Sequence, residues 1–119
     1  MKLQEIIQIL NAEVILDGNK KDLTVQSACS SDLMSDVLTS SRPGAILITG
    51  LTTTQVIYTA EVADISIVCF VRGKKPSEAT VKLAKNKGIT LLRVELPMFE
   101  SCGRLYERGL RGCSEHAAR

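Results

Sequence analysis

The chain has 119 residues, 45% of them hydrophobic and 24% charged, which is the composition of a globular and not a disordered protein. Its formal charge of +2 gives no electrostatic case for nucleic-acid binding. The longest apolar runs are far shorter than the roughly 20 residues of a membrane-spanning helix. We therefore expect one domain that binds neither nucleic acid nor membrane. Because Met1 opens directly into an amphipathic pattern, no targeting segment is expected, and the expected location is the cytoplasm.

The first quarter of the chain predicts one helix and two strands. The helix is predicted by apolar residues at helical spacing, namely Leu3, Ile6, Ile7 and Leu10. Residues 12–16 follow as a short strand that ends at an Asp17-Gly18-Asn19 turn. Residues 23–28 alternate apolar and polar side chains, as a half-exposed strand does.

The middle of the chain predicts a helix and then a β-α-β unit. Ser30-Ser31-Asp32 precedes the first helix and is expected to cap it, and the apolar face of that helix consists of Leu33, Met34, Val37 and Leu38. Residues 45–49 form an apolar strand, and residues 65–71 form another. The helix between them, from Thr54 to about Ala63, is expected to bury Val56, Ile57, Ala60 and Ala63.

The remainder predicts two more helices around one strand. A basic turn ends at Pro76, which is expected to be the first residue of a helix that stops before Gly88. Residues 89–94 form a strand, and Pro97 starts a final helix whose core side is Met98, Cys102 and Leu105. We assign residues 1–110 to the domain and residues 111–119 to a loosely ordered tail. The order of elements predicts an α/β fold with a mixed, mainly parallel sheet of about five strands and helices on both faces.

Polar residues follow three of the predicted strands and form the candidate ligand site. Open α/β sheets bind ligands beyond the carboxyl ends of their strands, and a helix N-terminus with a nearby glycine favours phosphate. Capping threonines and serines, and a solvated basic turn, are the alternative explanations of the same residues. The candidate ligand-binding residues are Ser31, Asp32, Thr49, Gly50, Thr52, Thr53, Thr54, Arg72 and Lys74.

No catalytic set accompanies this site. Gly73-Lys74 is not a phosphate loop, since Val68 stands where the first glycine should be and Lys75 replaces Ser or Thr. The only histidine, His116, lies in the predicted tail. We therefore expect a protein that is not an enzyme and has no catalytic residues.

No cofactor or metal site is expected either. The four cysteines, at positions 29, 69, 102 and 113, lack the spacing of metal ligands and are expected to be reduced and buried. Cys113-x-x-His116 would be half of a zinc site and needs two more ligands. Asp32 and Asp36 lie one helical turn apart, which is compatible with a bound cation or with an ordinary exposed helix face.

Several segments in order resemble a stand-alone DRTGG domain over about residues 1 to 110. These segments are Ser31–Leu38, Leu47–Leu51, Gln55–Ile57, Thr59–Glu61, Phe70–Pro76, Met98–Glu100 and Cys102–Tyr106. The resemblance implies a three-layer α/β/α sandwich related to the N-terminal domain of HPr kinase. The chain lacks the phosphate-loop half of that enzyme.

The resemblance also implies a regulatory role. DRTGG domains look like regulatory or dimerising modules, and similar free-standing members are sometimes encoded near iron hydrogenase components. Our leading hypothesis is a non-catalytic regulatory module, a homodimer, that senses a small anionic metabolite or nucleotide. The alternative is a protein-interaction or scaffold subunit of a redox enzyme system, which docks through Met98, Phe99, Leu105 and Tyr106. A phosphotransferase is the third hypothesis.

Overall fold

The structure is a computed structural model that describes residues 1–18 and 22–114. Helices and strands follow one another along the described chain in the order α1 (Leu3–Leu10), β1 (Glu13–Leu16), β2 (Ser27–Ser30), α2 (Met34–Ser40), β3 (Ala45–Thr49), α3 (Thr54–Val62), β4 (Ile67–Phe70), α4 (Glu78–Lys87), β5 (Thr90–Arg93) and α5 (Met98–Glu107). None of the described helices is long and apolar enough to cross a membrane.

The five strands form one sheet in the order β1-β5-β4-β3-β2. Strands β2, β3, β4 and β5 run parallel, and β1 is antiparallel to β5 at one edge. Two of the three inner strands, β3 and β4, are buried along their whole length, which explains their uninterrupted apolar sequences. The predicted mixed, mainly parallel sheet is confirmed.

Helices cover both faces of the sheet, and alternate residues of each strand divide the core in two. Leu47 and Val68 point to the face covered by α2, α3 and α4. Their neighbours Ile46 and Ile48 point to the opposite face, which α1 and α5 cover with Ile6, Leu10 and Leu105. The predicted α/β/α sandwich is therefore confirmed.

The strand predicted at residues 23–28 is wrong in position, because β2 covers only Ser27–Ser30. The alternating pattern comes from Val25, which is buried between exposed neighbours. The backbone N–H of Val25 donates to the Met1 carbonyl at 2.7 Å and not to a strand of the sheet. Burial, and not strand pairing, thus produced the pattern. The strand predicted at residues 65–71 is also shorter than expected.

Two predicted helix features are wrong as well. Helix α4 begins at Glu78, because Ser77 is its N-cap and accepts a hydrogen bond from the Thr80 N–H at 3.2 Å, so Pro76 lies before the helix. In α2 only Met34 and Val37 are buried. Leu33 and Leu38 are about half exposed, and the extended backbone of Leu33 places it outside the helix.

The segment after α5 lies against the sheet as far as it is described. The Ala28 N–H donates to the Arg111 carbonyl at 2.9 Å, beside edge strand β2. Cys113 is buried, with its Sγ 3.4 Å from the Ser27 hydroxyl. Residues 115–119, including His116, lie outside the described residues. The division into a domain of residues 1–110 and a loose tail therefore stays a prediction.

All four cysteines are free thiols. Cys69 and Cys113 are buried, whereas Cys29 and Cys102 are only partly covered. Burial raises the pKa of Cys69 to about 12 and that of Cys29 to about 11, so both thiols resist ionisation. These two side chains act as small apolar residues of the core.

Candidate ligand site at the carboxyl edge of the sheet

The three predicted polar clusters lie side by side, because the strands they follow are parallel neighbours. Strand β3 stands between β2 and β4. In the sheet register Ser30 pairs with Ile48, and Thr49 pairs with Phe70. The residues after these strands therefore meet at one end of the sheet, which we call the carboxyl edge.

Asp32 joins the turn after β2 to the turn after β3. Its Oδ1 accepts hydrogen bonds from the Gly50 N–H at 2.6 Å and from the Thr49 hydroxyl at 3.1 Å. It does not cap α2, whose N-cap Leu33 makes no side-chain hydrogen bond. Ser31 forms a local turn instead, with its hydroxyl oxygen accepting from the Leu33 N–H at 3.0 Å. The predicted cap of α2 is therefore wrong.

Thr49 and the Gly50 N–H are already engaged within the protein. The Thr49 side chain is buried, and its hydroxyl oxygen also accepts from the Leu51 N–H at 3.1 Å. Because Asp32 takes the Gly50 N–H, a phosphate would have to displace a carboxylate in order to bind that group. Thr49 and Asp32 thus shape the turn, and Gly50 offers room for a methyl group above its Cα and not a free donor.

Lys74 reaches this space through a tight turn after β4. The Lys74 N–H donates to the Val71 carbonyl at 3.2 Å, and Arg72 and Gly73 between them have φ angles of +59° and +65°. Two consecutive positive φ angles are typical of a type I′ turn, which reverses the chain sharply. The reversal carries Lys74 toward β3. Arg72, at the tip of the turn, is exposed.

The side chains of Asp32 and Lys74 approach the same point from two sides. A Cβ placed on Gly50 would lie 3.4 Å from Asp32 Oδ1 and 3.6 Å from Lys74 Nζ. No ion pair involves Lys74 within residues 1–18 and 22–114. We call Asp32, Gly50 and Lys74 the Gly50 cluster. It presents an ammonium group and a carboxylate with room for about a methyl group between them.

The threonines after Gly50 lead to an uncapped helix. Thr53 is the N-cap of α3, but its side chain makes no hydrogen bond to the helix, so the alternative explanation of this threonine as a capping residue does not hold. The Thr52 carbonyl instead accepts from the Thr80 hydroxyl at 2.9 Å, which ties the turn to α4. Thr54 is the first residue of the helix. The unbonded N–H groups of a first helical turn carry partial positive charge.

A second charged cluster at the same edge escaped the sequence analysis. The Arg93 guanidinium lies 3.0 Å from Glu13 Oε1 and 3.3 Å from Glu95 Oε1, and its Nε donates to the Gly73 carbonyl at 2.8 Å. We call Glu13, Gly73, Arg93 and Glu95 the Gly73 cluster. In the sequence, only the close spacing of Arg93, the last residue of β5, and Glu95 could have indicated this cluster. Glu13 is remote in sequence and reaches Arg93 through the antiparallel pairing of β1 with β5.

The described residues contain no group of three or more side chains able to hold a metal ion. Asp36 is exposed on α2, while Asp32 turns toward Gly50. Of the possible zinc pair, Cys113 is buried beside Ser27, and His116 is outside the described residues.

Comparison with solved structures identifies a protein with a similar fold. A comparison with curated proteins gave no match. A similar solved structure is that of the CBS and DRTGG domains of the regulatory region of Clostridium perfringens pyrophosphatase, complexed with the activator diadenosine tetraphosphate. It superimposes with a TM-score of 0.71 and 19% sequence identity, which shows a shared fold, and the match covers 87% of this chain and 45% of that chain. Our chain thus spans less than half the length of that regulatory region.

The family is shown by the sequence itself. The model of the DRTGG domain matches residues 5–107, which is most of the chain. This range runs from α1 to the last residue of α5 and includes all five strands. The relation to the N-terminal domain of HPr kinase stays a prediction. The chain is a member of the DRTGG domain family.

Proposed function

We propose that this protein is a non-catalytic regulatory module that senses a small anionic ligand, such as a nucleotide, at the carboxyl edge of its sheet. The observation that carries the proposal is the position of Lys74. Its ammonium group lies beside Gly50 without a carboxylate partner in the described chain, three residues before the N-cap of an uncapped helix. A cation and open helical N–H groups favour an anion at this place.

The structural neighbour supports the ligand class. In that pyrophosphatase the region containing the DRTGG domain is regulatory, and its activator is a nucleotide. A sensing role for the present chain agrees with this precedent. Of the predicted residues, Lys74 and the first turn of α3 at Thr54 are assigned to anion binding, Asp32 is assigned to a neutral part of the ligand, and exposed Arg72 lies at the rim.

Ligand binding is tested with a matched pair of lysine variants. Lys74→Met removes the charge beside Gly50, whereas Lys82→Met removes an equal charge from an exposed position on α4. A nucleotide that binds the native state raises the melting temperature, by an amount that grows with its concentration above Kd. We expect Lys74→Met to weaken binding about tenfold or more, since a hydrogen bond to a charged group is lost.

Lys82→Met is expected to bind like the parent protein. Equal affinities for the Lys74→Met variant and the parent would contradict the proposed site. Absence of any stabilisation by nucleotides or acyl phosphates at millimolar concentration would contradict ligand sensing altogether. Steady ATP hydrolysis by the purified protein would instead favour the phosphotransferase hypothesis.

Protein interaction through α5 is the second candidate function, and the exposure of Phe99 favours it. Phe99 is 83% exposed and Tyr106 is half exposed, whereas Leu105 is buried, so its predicted place in the docking face is wrong. A redox-enzyme partner belongs to this candidate, and the homodimer of the leading hypothesis would use the same face. Light scattering of the parent and of Phe99→Ser tests the homodimer, and affinity capture from the host with the same pair tests the enzyme partner. A loss of assembly confined to Phe99→Ser is expected if this face docks.

A further inference from the structure

Two of the free cysteines, Cys29 and Cys113, are brought together at one edge of the sheet although they are far apart in sequence. The residues just before them, Ala28 and Gly112, pair as neighbours in a parallel sheet do, and the Ala28 N–H donates to the Arg111 carbonyl at 2.9 Å. Paired chains in a sheet run about 4.8 Å apart. This pairing brings the two cysteine Cα atoms to about the separation of 4.4–6.8 Å that a disulfide spans.

The side chains of the two cysteines point into the same part of the core. Ser27 and Cys29 are two residues apart within β2, so both face the same side of the sheet. The Cys113 Sγ lies 3.4 Å from the Ser27 hydroxyl, and both cysteines pack in the core between the sheet and helices α2, α3 and α4. Burial, and next the charge of Cys113, raise the pKa of Cys29 to about 11, which agrees with neighbouring thiols.

The two thiols differ in their access to solvent. Cys113 is only 6% exposed, whereas Cys29 is partly covered. A reagent in solution therefore meets Cys29 first, with Cys113 beside it as a second thiol. The other two cysteines, Cys69 and Cys102, lie in the core on the opposite face of the sheet, with their backbones in different layers.

The segment that carries Cys113 covers part of an exposed sheet edge. Strand β2 is the last strand of the sheet on this side, and unpaired N–H and C=O groups of an edge strand are a template for pairing with another chain. The isolated pairing of Gly112 with Ala28 holds this cover in place. A covalent link beside that pair would make the cover permanent.

We propose that Cys29 and Cys113 form a reversible disulfide by exchange with a small-molecule disulfide, and that this bond locks the segment after α5 onto β2. The Cys29 thiolate attacks one sulfur of the small disulfide, whose S–S bond breaks and whose leaving thiolate takes up a proton. The Cys113 thiolate then attacks the Cys29 sulfur and releases the other half as a second thiol. The two protein thiols are oxidised, the small disulfide is reduced to two thiols, and both protons pass to these products. This reaction does not involve the Gly50 cluster.

The experiment incubates the parent protein and three cysteine variants with oxidised glutathione. A mildly alkaline pH is used, because the raised pKa of Cys29 slows the exchange at neutral pH. The remaining thiols are alkylated in denaturant and counted by intact mass, and peptide mapping locates the linked cysteines. We expect the parent to lose two thiols to a Cys29–Cys113 disulfide. Cys102→Ala, which removes a partly covered thiol on the other face, is the matched control and should form the same disulfide.

The other two variants separate the first thiol to react from the second. Cys113→Ala should stop at a mixed disulfide between Cys29 and glutathione, because no second thiol displaces the glutathione. Cys29→Ala should leave Cys113 unmodified, because that thiol is buried. The result for the parent does not depend on how well any variant folds. Free Cys29 and Cys113 in the treated parent, mixed disulfides alone, or a bond from either residue to another cysteine would overturn the proposal.

Hydrogen exchange measures whether the disulfide locks the segment. The Ala28 amide donates to the Arg111 carbonyl, so its exchange requires the segment to leave β2. We expect this exchange to slow about tenfold or more in the oxidised parent and to recover after reduction with dithiothreitol. The Gly73 amide, which donates to the Val94 carbonyl in the turn after β4, should exchange at an unchanged rate. An unchanged rate at Ala28 in the oxidised protein would show that the disulfide does not act as a lock.

Discussion

Two glycines at the carboxyl edge of the sheet have charged neighbours of both signs, yet their surroundings differ. Beside Gly73, the Arg93 guanidinium is paired with Glu13 and Glu95. A Cβ on Gly73 would lie only 2.5 Å from Glu95 Oε2. Beside Gly50, Lys74 and Asp32 are not paired with each other, and a Cβ would meet both at ordinary contact distance.

The difference separates a structural cluster from a candidate binding site. In the Gly73 cluster the charges satisfy one another and the space above the glycine is filled, so a ligand has neither room nor an unpaired charge to bind. In the Gly50 cluster Asp32 and Lys74 are exposed and form no ion pair with each other, and the space between them admits a methyl group. Charged residues at strand ends therefore indicate a ligand-binding site only when they are not already paired with one another.

The largest effect is expected for Gly73→Ala. Gly73 has a φ of +65°, which strains any residue with a Cβ, and the added methyl group would displace the Glu95 carboxylate. We expect the free energy of unfolding to fall by about 1–3 kcal/mol. Urea denaturation measures it. The double variant Gly73→Ala/Glu95→Ala removes the crowding and should recover part of the loss. If the double variant is no more stable than the single one, backbone strain alone explains the cost.

A smaller effect is expected for Asp32→Ala. The substitution leaves the Thr49 hydroxyl and the Gly50 N–H without their acceptor, although water can reach the exposed side. We expect a loss of about 1 kcal/mol in the free energy of unfolding, measured by thermal or urea denaturation. Asp32→Asn keeps an acceptor oxygen and should lose less. The matched control is Asp36→Ala, which removes an exposed carboxylate from α2. An equal loss of stability there would show that the hydrogen bonds of Asp32 between the two turns do not stabilise the fold.

The sequence predicted the layers of the fold better than the contacts at the edge. The apolar runs of β3 and β4 are long and bounded by Gly and Asp, so the burial of these strands could be predicted from the sequence. Asp32 was misread because a carboxylate before a helix looks the same whether it caps that helix or takes the N–H of Gly50, 18 residues away. The position of Lys74 depends on a turn with two positive φ angles, at Arg72 and Gly73. In the sequence, only Gly73 indicated such a turn.

The smallest effect on stability, and the sharpest test of the comparison, is expected for Gly50→Ala. The nearest atoms to the new methyl group would be the Asp32 carboxylate oxygens and Lys74 Nζ, at 3.4–3.6 Å, which is ordinary van der Waals contact. The free energy of unfolding should therefore change by less than about 0.5 kcal/mol, as at other substitutions without strain. The methyl group nevertheless occupies the space between the two charges where we place the ligand. We expect the thermal stabilisation by nucleotides to fall sharply while the melting temperature of the free protein stays the same. Gly103→Ala, at an exposed position of α5 with no atom within 4 Å of the added methyl group, is the matched control and should keep its response to nucleotides. If Gly50→Ala binds nucleotides as tightly as the parent, the space beside Gly50 is not part of the site, and the contrast between the two glycines has no functional meaning.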